Sequence, residues 1–347
     1  MVMQITLNTL LQTLSQILTP TRRTGAIFAL VLALFSGCTA QKPELWIYTS
    51  IYKDVVRELE PIFEKNLPEV KVQWFQGGSE IIAAKLEAER AAGKTQADLI
   101  LTSDPFWYLE LKKKDALLPY SSPAAASVPT EWKDPDQTFS TVRVPVMMLA
   151  HHSSFQQPPR QWTDLTQSAY AQKIAMGSPL ESGTFFTSVA LLSSVKGWSF
   201  FSSLRQNEIL ASGGNSSVVQ RLVTQERPVG MVLLENILQA KAKSSPIEAI
   251  YPEDGVIPIP SPIAIMKSTR SPEIAKKAYD LFFSEEVQKK IVASGMYSPL
   301  SQLPPPAGAK PWRELQPKAI AVNMNVLHQL FSQRDEIKKT FSDRVLK

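Results

Sequence analysis

Short apolar runs alternate with amphipathic stretches along the chain after Lys42. Residues 45–48 are a compact apolar run, which predicts a strand buried on both faces. Apolar residues recur with a period of two over 70–74, and residues 97–102 form a further apolar run, so two more strands are predicted. The stretches between these runs carry apolar residues at helical spacing. This order predicts an α/β fold built on a parallel sheet with helices on both faces.

Two extended segments carry prolines. Residues 141–149 contain Pro145, and residues 257–262 contain three prolines. Because proline cannot donate to a sheet ladder, we predict that the first is an edge or crossing segment and that the second is not central in a sheet. Beyond the N-terminal segment the chain has about 310 residues, more than one core usually carries, so two lobes are expected.

Six strand ends are followed by small hydroxyl, glycine or carboxylate residues. In open α/β sheets the ligand crevice lies beyond the carboxyl ends of the strands, and helix N-termini bind anions through their free N–H groups. Each cluster could serve only to cap its helix, but clusters from both halves of the chain together favour a binding cleft. The candidate ligand-binding residues are Thr49, Ser50, Gly78, Ser79, Ser103, Asp104, Ser182, Gly183, Thr184, Asn215, Glu235 and Asn236.

The N-terminal segment has a different pattern. Residues 24–37 are an uncharged, largely apolar run that follows Arg22 and Arg23 and ends at Cys38, the single cysteine of the chain. A basic flank, a short apolar run and small residues before a cut site predict a secretory signal peptide over residues 1–37. The run is shorter than the roughly 20 residues of a membrane-spanning helix. A cysteine buried in a core helix is the alternative interpretation.

Residues 35–38, Phe-Ser-Gly-Cys, resemble a bacterial lipobox. The resemblance implies that Cys38 is acylated and becomes the first residue, with residues 38–43 as a linker to the anchor. We therefore expect a protein in the periplasm or on the cell surface, held at a membrane by lipidated Cys38. Loss of residues 1–37 removes two arginines and no acidic residue, which leaves 35 basic and 32 acidic residues, or a net charge of +3 instead of +5. So small a charge, with no basic stripe interleaved with aromatic residues, predicts no nucleic-acid partner.

Patterns for catalysis and metal binding are weak. The chain has no G-x-S-x-G motif, and its histidines are His151, His152 and His328. No cysteine, histidine or carboxylate stands at metal-ligand spacing around the first two. We therefore predict no catalytic residues, no metal site and no cofactor, and a binding protein instead of an enzyme. The competing interpretations are an enzyme on the same scaffold, with Asp104 and Glu235 as a carboxylate pair, and a structural or signalling lipoprotein.

Several longer segments carry a resemblance to a known family. They are LWIYTS, FQGGSEIIAAKLEAE, ADLILTSDPFWYLELKKKDALLPY, SPLESGTFF, GNSSVV and GVIPIPSPIAIMKSTRSPEIAKKAYDLFFSEEVQKKI. In this order, the chain after Lys42 resembles the type II periplasmic binding proteins, the extracytoplasmic receptors of ABC importers. The closest resemblance is to the group that includes ferric-iron receptors and receptors for phosphorylated or phosphonate solutes.

The resemblance implies two α/β lobes, with residues 44–142 and 258–347 as lobe 1 and residues 143–257 as lobe 2. Two crossing strands would act as the hinge, and the lobes would close on a small-molecule solute between them. It further implies a monomer that delivers its solute to ABC permease subunits in the inner membrane.

The resemblance leaves two classes of solute open. Ferric-iron relatives use a tyrosine soon after the first crossing and a tyrosine pair after the strand that matches residues 229–234, whereas this chain has Ala150-His151-His152 and Glu235-Asn236-Ile237 there. Ferric iron prefers several anionic oxygens. We therefore expect a small organic anion, phosphorylated or phosphonate in type, with ferric iron as the alternative.

Overall fold

The computed structural model describes residues 42–347, and two mixed sheets organise them. The strands are β1 (Glu44–Thr49), β2 (Lys71–Gln76), β3 (Leu99–Leu101), β4 (Leu117–Leu118), β5 (Ser140–Arg143), β6 (Val146–His152), β7 (Ile174–Met176), β8 (Leu210–Ala211), β9 (Val229–Leu233), β10 (Ile247–Ile250), β11 (Ile257–Pro258) and β12 (Ser261–Met266).

The helices lie between and after these strands. They are α1 (Lys53–Asn66), α2 (Ser79–Ala91), α3 (Pro105–Lys113), α4 (Gly183–Lys196), α5 (Trp198–Gln206), α6 (Asn215–Val223), α7 (Leu234–Ala242), α8 (Pro272–Leu281), α9 (Glu285–Ala293), α10 (Trp312–Leu315), α11 (Met324–Phe331) and α12 (Arg334–Phe341). A last turn, Ser342–Leu346, follows α12.

The first sheet has the strand order β2-β1-β3-β12-β4, with β5 paired to β12, and the second has the order β10-β6-β9-β7-β8, with β11 paired to β6. Strand β1 is parallel to β2 and β3, but β12 is antiparallel to β3, β4 and β5. In the second sheet β6 is likewise antiparallel to β9 and β10. The prediction of a parallel sheet was therefore incomplete, because the chain enters β6 and β12 after crossing from the other sheet, and both strands run antiparallel to their neighbours.

The chain crosses between the sheets at both proline-containing segments. Pro145 separates β5 in the first sheet from β6 in the second, and Pro260 separates β11 in the second from β12 in the first. The expectation that residues 257–262 avoid the centre of a sheet was wrong for Pro262. This proline lies in β12, which has neighbours on both sides, and it is tolerated because the pairing of β12 with β5 shifts register between Ser261 and Pro262.

Residues Glu44–Lys347 form one compact unit with apolar cores on both sheets. In the first sheet, Phe63 of α1 packs against Phe282 after α8, with ring centroids 4.9 Å apart. Helix α4 is apolar on all sides, and residues 183–192 of it are buried. Its Phe186 meets Phe106 of α3 at 5.3 Å, so helices that follow strands of different sheets are in direct contact.

The signal-peptide and lipidation predictions, including Cys38, lie outside the described residues. Among residues 42–347, the structure has no helix of sufficient length and apolar character to cross a membrane.

Candidate functional site

A cavity of about 300 Å³ lies where loops and helix starts of the two sheets meet. The first sheet supplies residues that follow β1, β2, β3 and β5, and the second supplies the starts of α4, α6 and α7. The lining residues are Ser50, Tyr52, Gln76, Gly77, Gly78, Ser79, Ser103, Arg143, Glu181, Ser182, Gly183, Thr184, Gly214, Asn215, Ser216, Leu233 and Glu235. The cavity therefore has two walls, one from each sheet.

A larger groove, of about 820 Å³, lies beside Tyr120, Phe139 and Tyr279. Its lining comes from the loop after β4, from α8 and from the start of α11, so it receives nothing from the strands of the second sheet. Of these two cavities, only the smaller one is lined by strand ends of both sheets. That position is the expected place for a ligand in this architecture.

Arg143, the last residue of β5, places a buried cation in the first wall. Its side chain is 2 % exposed, and Nη2 donates to the hydroxyls of Ser50 and Ser103, both at 2.9 Å. Burial lowers the pKa of Arg143, while the nearby Glu235 raises it, and an arginine in a protein stays protonated. Its Nε finds no hydrogen-bond partner within residues 42–347. A buried guanidinium with a free donor favours an anionic ligand.

The hydroxyls around Arg143 are held in place by one another. Ser103 also accepts a hydrogen bond from the hydroxyl of Ser261 at 2.9 Å, and its backbone N–H donates to Ser79 Oγ at 3.3 Å. The segments that follow β1, β2 and β3, together with the start of β12, are thereby linked through Arg143 and Ser103 into one polar wall. Such a wall is preorganised for a ligand, because its side chains need not reorder on binding.

Glu235, at the start of α7, contributes a buried carboxyl to the second wall. It is 1 % exposed, and its Oε2 has no hydrogen-bond partner in the described part of the chain. Burial raises the pKa of Glu235 to about 7, opposed by a backbone hydrogen bond and by the charge of Arg143. A carboxyl with a free oxygen in this cavity can accept a hydrogen bond from a hydroxyl or an ammonium group.

Two helix starts complete the second wall. The side chains of Ser182 and Thr184 are 3.0 Å apart at the start of α4, and Asn215 at the start of α6 donates through Nδ2 to Thr184 Oγ1 at 3.0 Å. Asn215 also accepts from the backbone N–H of Leu233 at 3.2 Å. Helix α4 has fourteen residues, so its N-terminus presents free N–H groups and a partial positive charge to the cavity.

The two walls touch at the edge of the cavity. A Cβ atom on Gly183 would lie 2.8 Å from Cβ and Oγ of Ser79 and 2.9 Å from Cβ of Asp104. The hydroxyl of Tyr52 donates across the same gap to Oδ1 of Asn236 at 3.1 Å. Burial raises the pKa of Tyr52 to about 12, a shift to which the charge of Glu235 adds. Tyr52 is therefore a neutral phenol that donates a hydrogen bond.

Most of the residues singled out in the sequence are brought together here. Nine of them line the cavity: Ser50, Gly78, Ser79, Ser103, Ser182, Gly183, Thr184, Asn215 and Glu235. Thr49, Asp104 and Asn236 do not. Thr49 Oγ1 accepts from the N–H of Ile51 at 3.1 Å, and Asp104 caps α3 through the N–H groups of Phe106 and Trp107. Asp104 therefore serves as a helix cap, Thr49 closes the turn after β1, and Asn236 reaches the cavity only through Tyr52.

Five polar lining residues are absent from the candidate set: Arg143, Tyr52, Gln76, Glu181 and Ser216. Arg143 had a detectable signal, since it is a lone charge within the otherwise uncharged run STVRVPV of a crossing segment. Ser216 directly follows the candidate Asn215 at the start of α6, and the other three stand in loop or strand-end positions without a distinguishing pattern.

The histidine pair has a local structural role. Nδ1 of His152 pairs with the hydroxyl of Ser154 at 2.7 Å, and Nδ1 of His151 pairs with the carbonyl of His152 at 2.9 Å. Within the described residues, no group of three or more histidine, cysteine, aspartate or glutamate side chains is arranged to hold a metal ion.

Comparison with solved structures gives the fold. The periplasmic binding protein AfuA of Actinobacillus pleuropneumoniae, with fructose-6-phosphate bound, is 21% identical and superposes with a TM-score of 0.76 over 88% of this chain and 99% of its own. Iron-bound HitA of Pseudomonas aeruginosa is 18% identical, with a TM-score of 0.75 over 86% of this chain and 99% of its own. The two-sheet architecture with two crossing segments is thus the fold of type II periplasmic binding proteins.

Sequence comparison gives the family. A probable ABC transporter periplasmic-binding protein of Sinorhizobium fredii, y4fP, is 24% identical over 262 residues, which cover 71% of each chain. The family model described as bacterial extracellular solute-binding protein matches residues 94–317, well over half of the chain. The chain therefore belongs to the bacterial extracellular solute-binding protein family.

Proposed function

We propose that this protein is the extracytoplasmic receptor of an ABC importer and captures a small anionic organic solute, phosphorylated or phosphonate in type, in the cavity between the two sheets. The observation that carries the proposal is the buried guanidinium of Arg143, fixed by Ser50 and Ser103 in the cavity wall. A phosphate or phosphonate group matches the planar donors of an arginine and the free N–H groups of helix starts.

The second wall supports a solute with further polar groups. Glu235 faces the same cavity as Arg143 and has one unpaired oxygen among the described residues. A hydroxyl or amine on the solute would pair with this oxygen, whereas an anion without a hydrogen-bond donor would leave the ionised carboxyl unpaired at a cost of about 1–3 kcal/mol. A cavity of about 300 Å³ suits an organic solute of the size of a sugar phosphate or an aminoalkylphosphonate.

The predicted lobes and hinge are part of the proposal. Residues 44–142 and 258–347 would form the lobe of the first wall and residues 143–257 the lobe of the second, except that Arg143, the last residue of β5, belongs to the first wall and α12 packs on the second-sheet side. The crossings at Pro145 and Pro260 would bend as the walls separate. In this scheme Cys38 anchors the receptor to the membrane, and the closed, loaded receptor delivers its solute to ABC permease subunits as a monomer without turnover.

Ferric iron remains the second candidate because the fold is shared with iron-bound HitA. The cavity offers Tyr52 and Glu235 as oxygen donors that could become anionic, together with the exposed Glu181. A positively charged Arg143 in the same cavity opposes a trivalent cation. The residues therefore favour the organic anion.

A thermal-shift screen of the purified protein tests the proposal. Its arms are fructose 6-phosphate, an aminoalkylphosphonate, unphosphorylated fructose, amino acids, inorganic phosphate and ferric citrate. We expect the unfolding midpoint to rise with the concentration of a phosphorylated or phosphonate compound. At 100 times Kd, the bound solute adds about 2.7 kcal/mol to the free energy of unfolding. A shift with ferric citrate alone, with visible colour, would establish the iron alternative, and release of phosphate from a bound ester would establish an enzyme. No shift with any organic anion would contradict the proposed solute class.

A further inference from the structure

The C-terminal helices contact both walls of the cavity. Helix α11 packs on α3, which follows β3 of the first sheet, whereas α12 packs on α4 and the last turn packs on α5 of the second-sheet side. This stretch therefore spans the boundary between the two sheets a third time, after the two crossings.

On the second-sheet side the attachment is apolar and reinforced at the backbone. Phe341 is fully buried, and its ring lies 5.8 Å from that of Phe201 in α5. Arg205 of α5 donates to the carbonyls of Val345 at 2.8 Å and Lys347 at 2.6 Å. We expect α12 to move with α5, because separating these groups would expose buried aromatic surface.

On the first-sheet side the attachment of α12 is ionic. Arg334 contacts Glu110 of α3 at 2.8 Å and Asp104, the N-cap of α3, at 3.2 Å. Lys338, one turn further along α12, lies 3.3 Å from both carboxylate oxygens of Glu80 in the first turn of α2. The side chains of Arg334 and Lys338 are 17% and 22% exposed, and that of Asp104 is 2% exposed, so solvent screens these pairs only in part.

Both cations also lie over an aromatic ring of the second-sheet side. The guanidinium of Arg334 is 5.6 Å and the ammonium of Lys338 is 5.3 Å from the ring centroid of Phe186 in α4. The ion pairs thus form where the starts of α2 and α3 meet α4, beside the contact of Gly183 with Ser79 and Asp104.

We infer that Arg334 and Lys338, together with Glu80, Asp104 and Glu110, form a clasp that holds the two walls of the cavity together and sets the balance between open and closed receptor. Because α12 is bound to one side by apolar packing and to the other by charge, opening of the cavity breaks the ion pairs and leaves the apolar side intact. Arg334 and Lys338 act through Asp104 and Glu80, so they are positioning residues and not ligand contacts. The inference rests on the proposed function in one respect, namely that the walls open and close.

The test measures the distance across the cavity in the solute-free full chain. Ile81 and Leu180 are 61% and 40% exposed and lie within two residues of the lining residues Ser79 and Glu181 of opposite walls, so cysteines at these positions carry the labels for double electron–electron resonance. Cys38 is replaced by serine, because it is the single native cysteine and would also be labelled. The clasp variant combines Arg334→Met with Lys338→Met. The matched control combines Arg344→Met with Lys347→Met, which removes the same charge from groups that pair with Ser202 and Asp343 on the second-sheet side.

We expect the population with the longer distance to rise about fivefold or more in the clasp variant and to stay unchanged in the control. In the parent protein, 1 M NaCl should shift the distribution in the same direction, and the clasp variant should not respond. The single variant Lys338→Met, which leaves Asp104 paired, should give an intermediate shift if the double variant fails to fold. Unchanged distances in the single or double variant would overturn the clasp. Since no solute is added, this result is independent of the solute screen, and a failed screen leaves the clasp measurable.

Discussion

The wall from the first sheet offers a solute a buried cation and a set of linked hydroxyls, whereas the wall from the second sheet offers helix starts and a buried carboxyl. The cation Arg143 is held by side chains of its own wall, but the carboxyl of Glu235 lacks a partner for one oxygen among the described residues. Under the proposed function, the first wall would receive the anionic group of the solute and the second wall the remainder of the molecule. The proposed solute would therefore contact each wall through a different kind of group.

Among the substitutions that test this difference between the walls, the largest effect on solute affinity is expected at Arg143. Arg143→Met should weaken binding of the tightest phosphorylated solute by about 30-fold or more, since truncation of a buried, hydrogen-bonded charge costs about 2–5 kcal/mol. Isothermal titration calorimetry measures the loss. Arg221→Met is the control, because Arg221 donates to Ser212 outside the cavity. If the Arg143→Met variant bound the solute as tightly as the control, the anionic group of the solute would not bind at Arg143 in the first wall.

Glu235 gives a test of the second wall without solute. Its pKa is raised from 4.5 to about 7, so between these pH values the folded protein holds a proton that the unfolded chain releases. Stability is therefore expected to fall as the pH rises through this window. Glu235→Gln should remove that fall and raise the melting temperature by a few degrees at pH 8 but not at pH 4.5.

The control for this measurement is Glu181→Gln, a change of the same chemistry at an exposed residue of the same cavity. It should follow the parent protein at both pH values. If the melting temperatures of Glu235→Gln and Glu181→Gln changed with pH in the same way, Glu235 would not be the buried acid that distinguishes the second wall.

The contact between the walls is tested by a single methyl group. Gly183→Ala places a Cβ 2.8 Å from Ser79 and should lower the affinity about tenfold by holding the walls apart, within the 1–3 kcal/mol range of overpacking. Gly214→Ala adds the same methyl to a lining glycine of the same wall with nothing within 4 Å, and it should bind normally. Equal affinities for the two variants would show that the walls need not meet at Gly183.

The smallest effect is expected at Tyr52. Tyr52→Phe removes the hydrogen bond to Asn236 across the gap and should weaken solute binding about fivefold, or by about 1 kcal/mol. Tyr48→Phe, which removes a hydrogen bond to Glu89 within the first-sheet side, is the control in the same titration. Complete loss of binding with Tyr52→Phe would instead indicate that Tyr52 is a metal ligand and would favour ferric iron as the solute.

Much of the site followed from sequence because strand ends and helix starts are local features. Ser50, Ser79 and Asn215 each stand at such a boundary, and their type and position were enough to place them at the cavity. The same rule misplaced Thr49 and Asp104, because a hydroxyl at a strand end or a carboxylate at a helix start can bond to the nearest backbone N–H instead of facing the cavity. Local pattern does not distinguish these two outcomes.

Pro262 and Arg143 illustrate a second limit. The rule that excludes proline from central strands assumes a regular ladder, and a register shift in β12 relaxes it. The side that Arg143 faces is fixed by how β5 pairs with β12 and by where Ser50 and Ser103 end up, which are contacts between residues far apart in the chain.

The sequence by itself determined the alternation of strands and helices, the two proline-containing crossings, the family resemblance and most of the hydroxyl-rich helix starts. These depend on residue spacing over a few positions, where backbone geometry and burial periodicity leave a clear pattern. Only the tertiary structure decided that Arg143 and Glu235 share one cavity, that Gly183 lets the walls touch, and that Arg334 and Lys338 reach across from the last helix. Each of those depends on segments separated by about 80 or more residues, which local spacing does not encode.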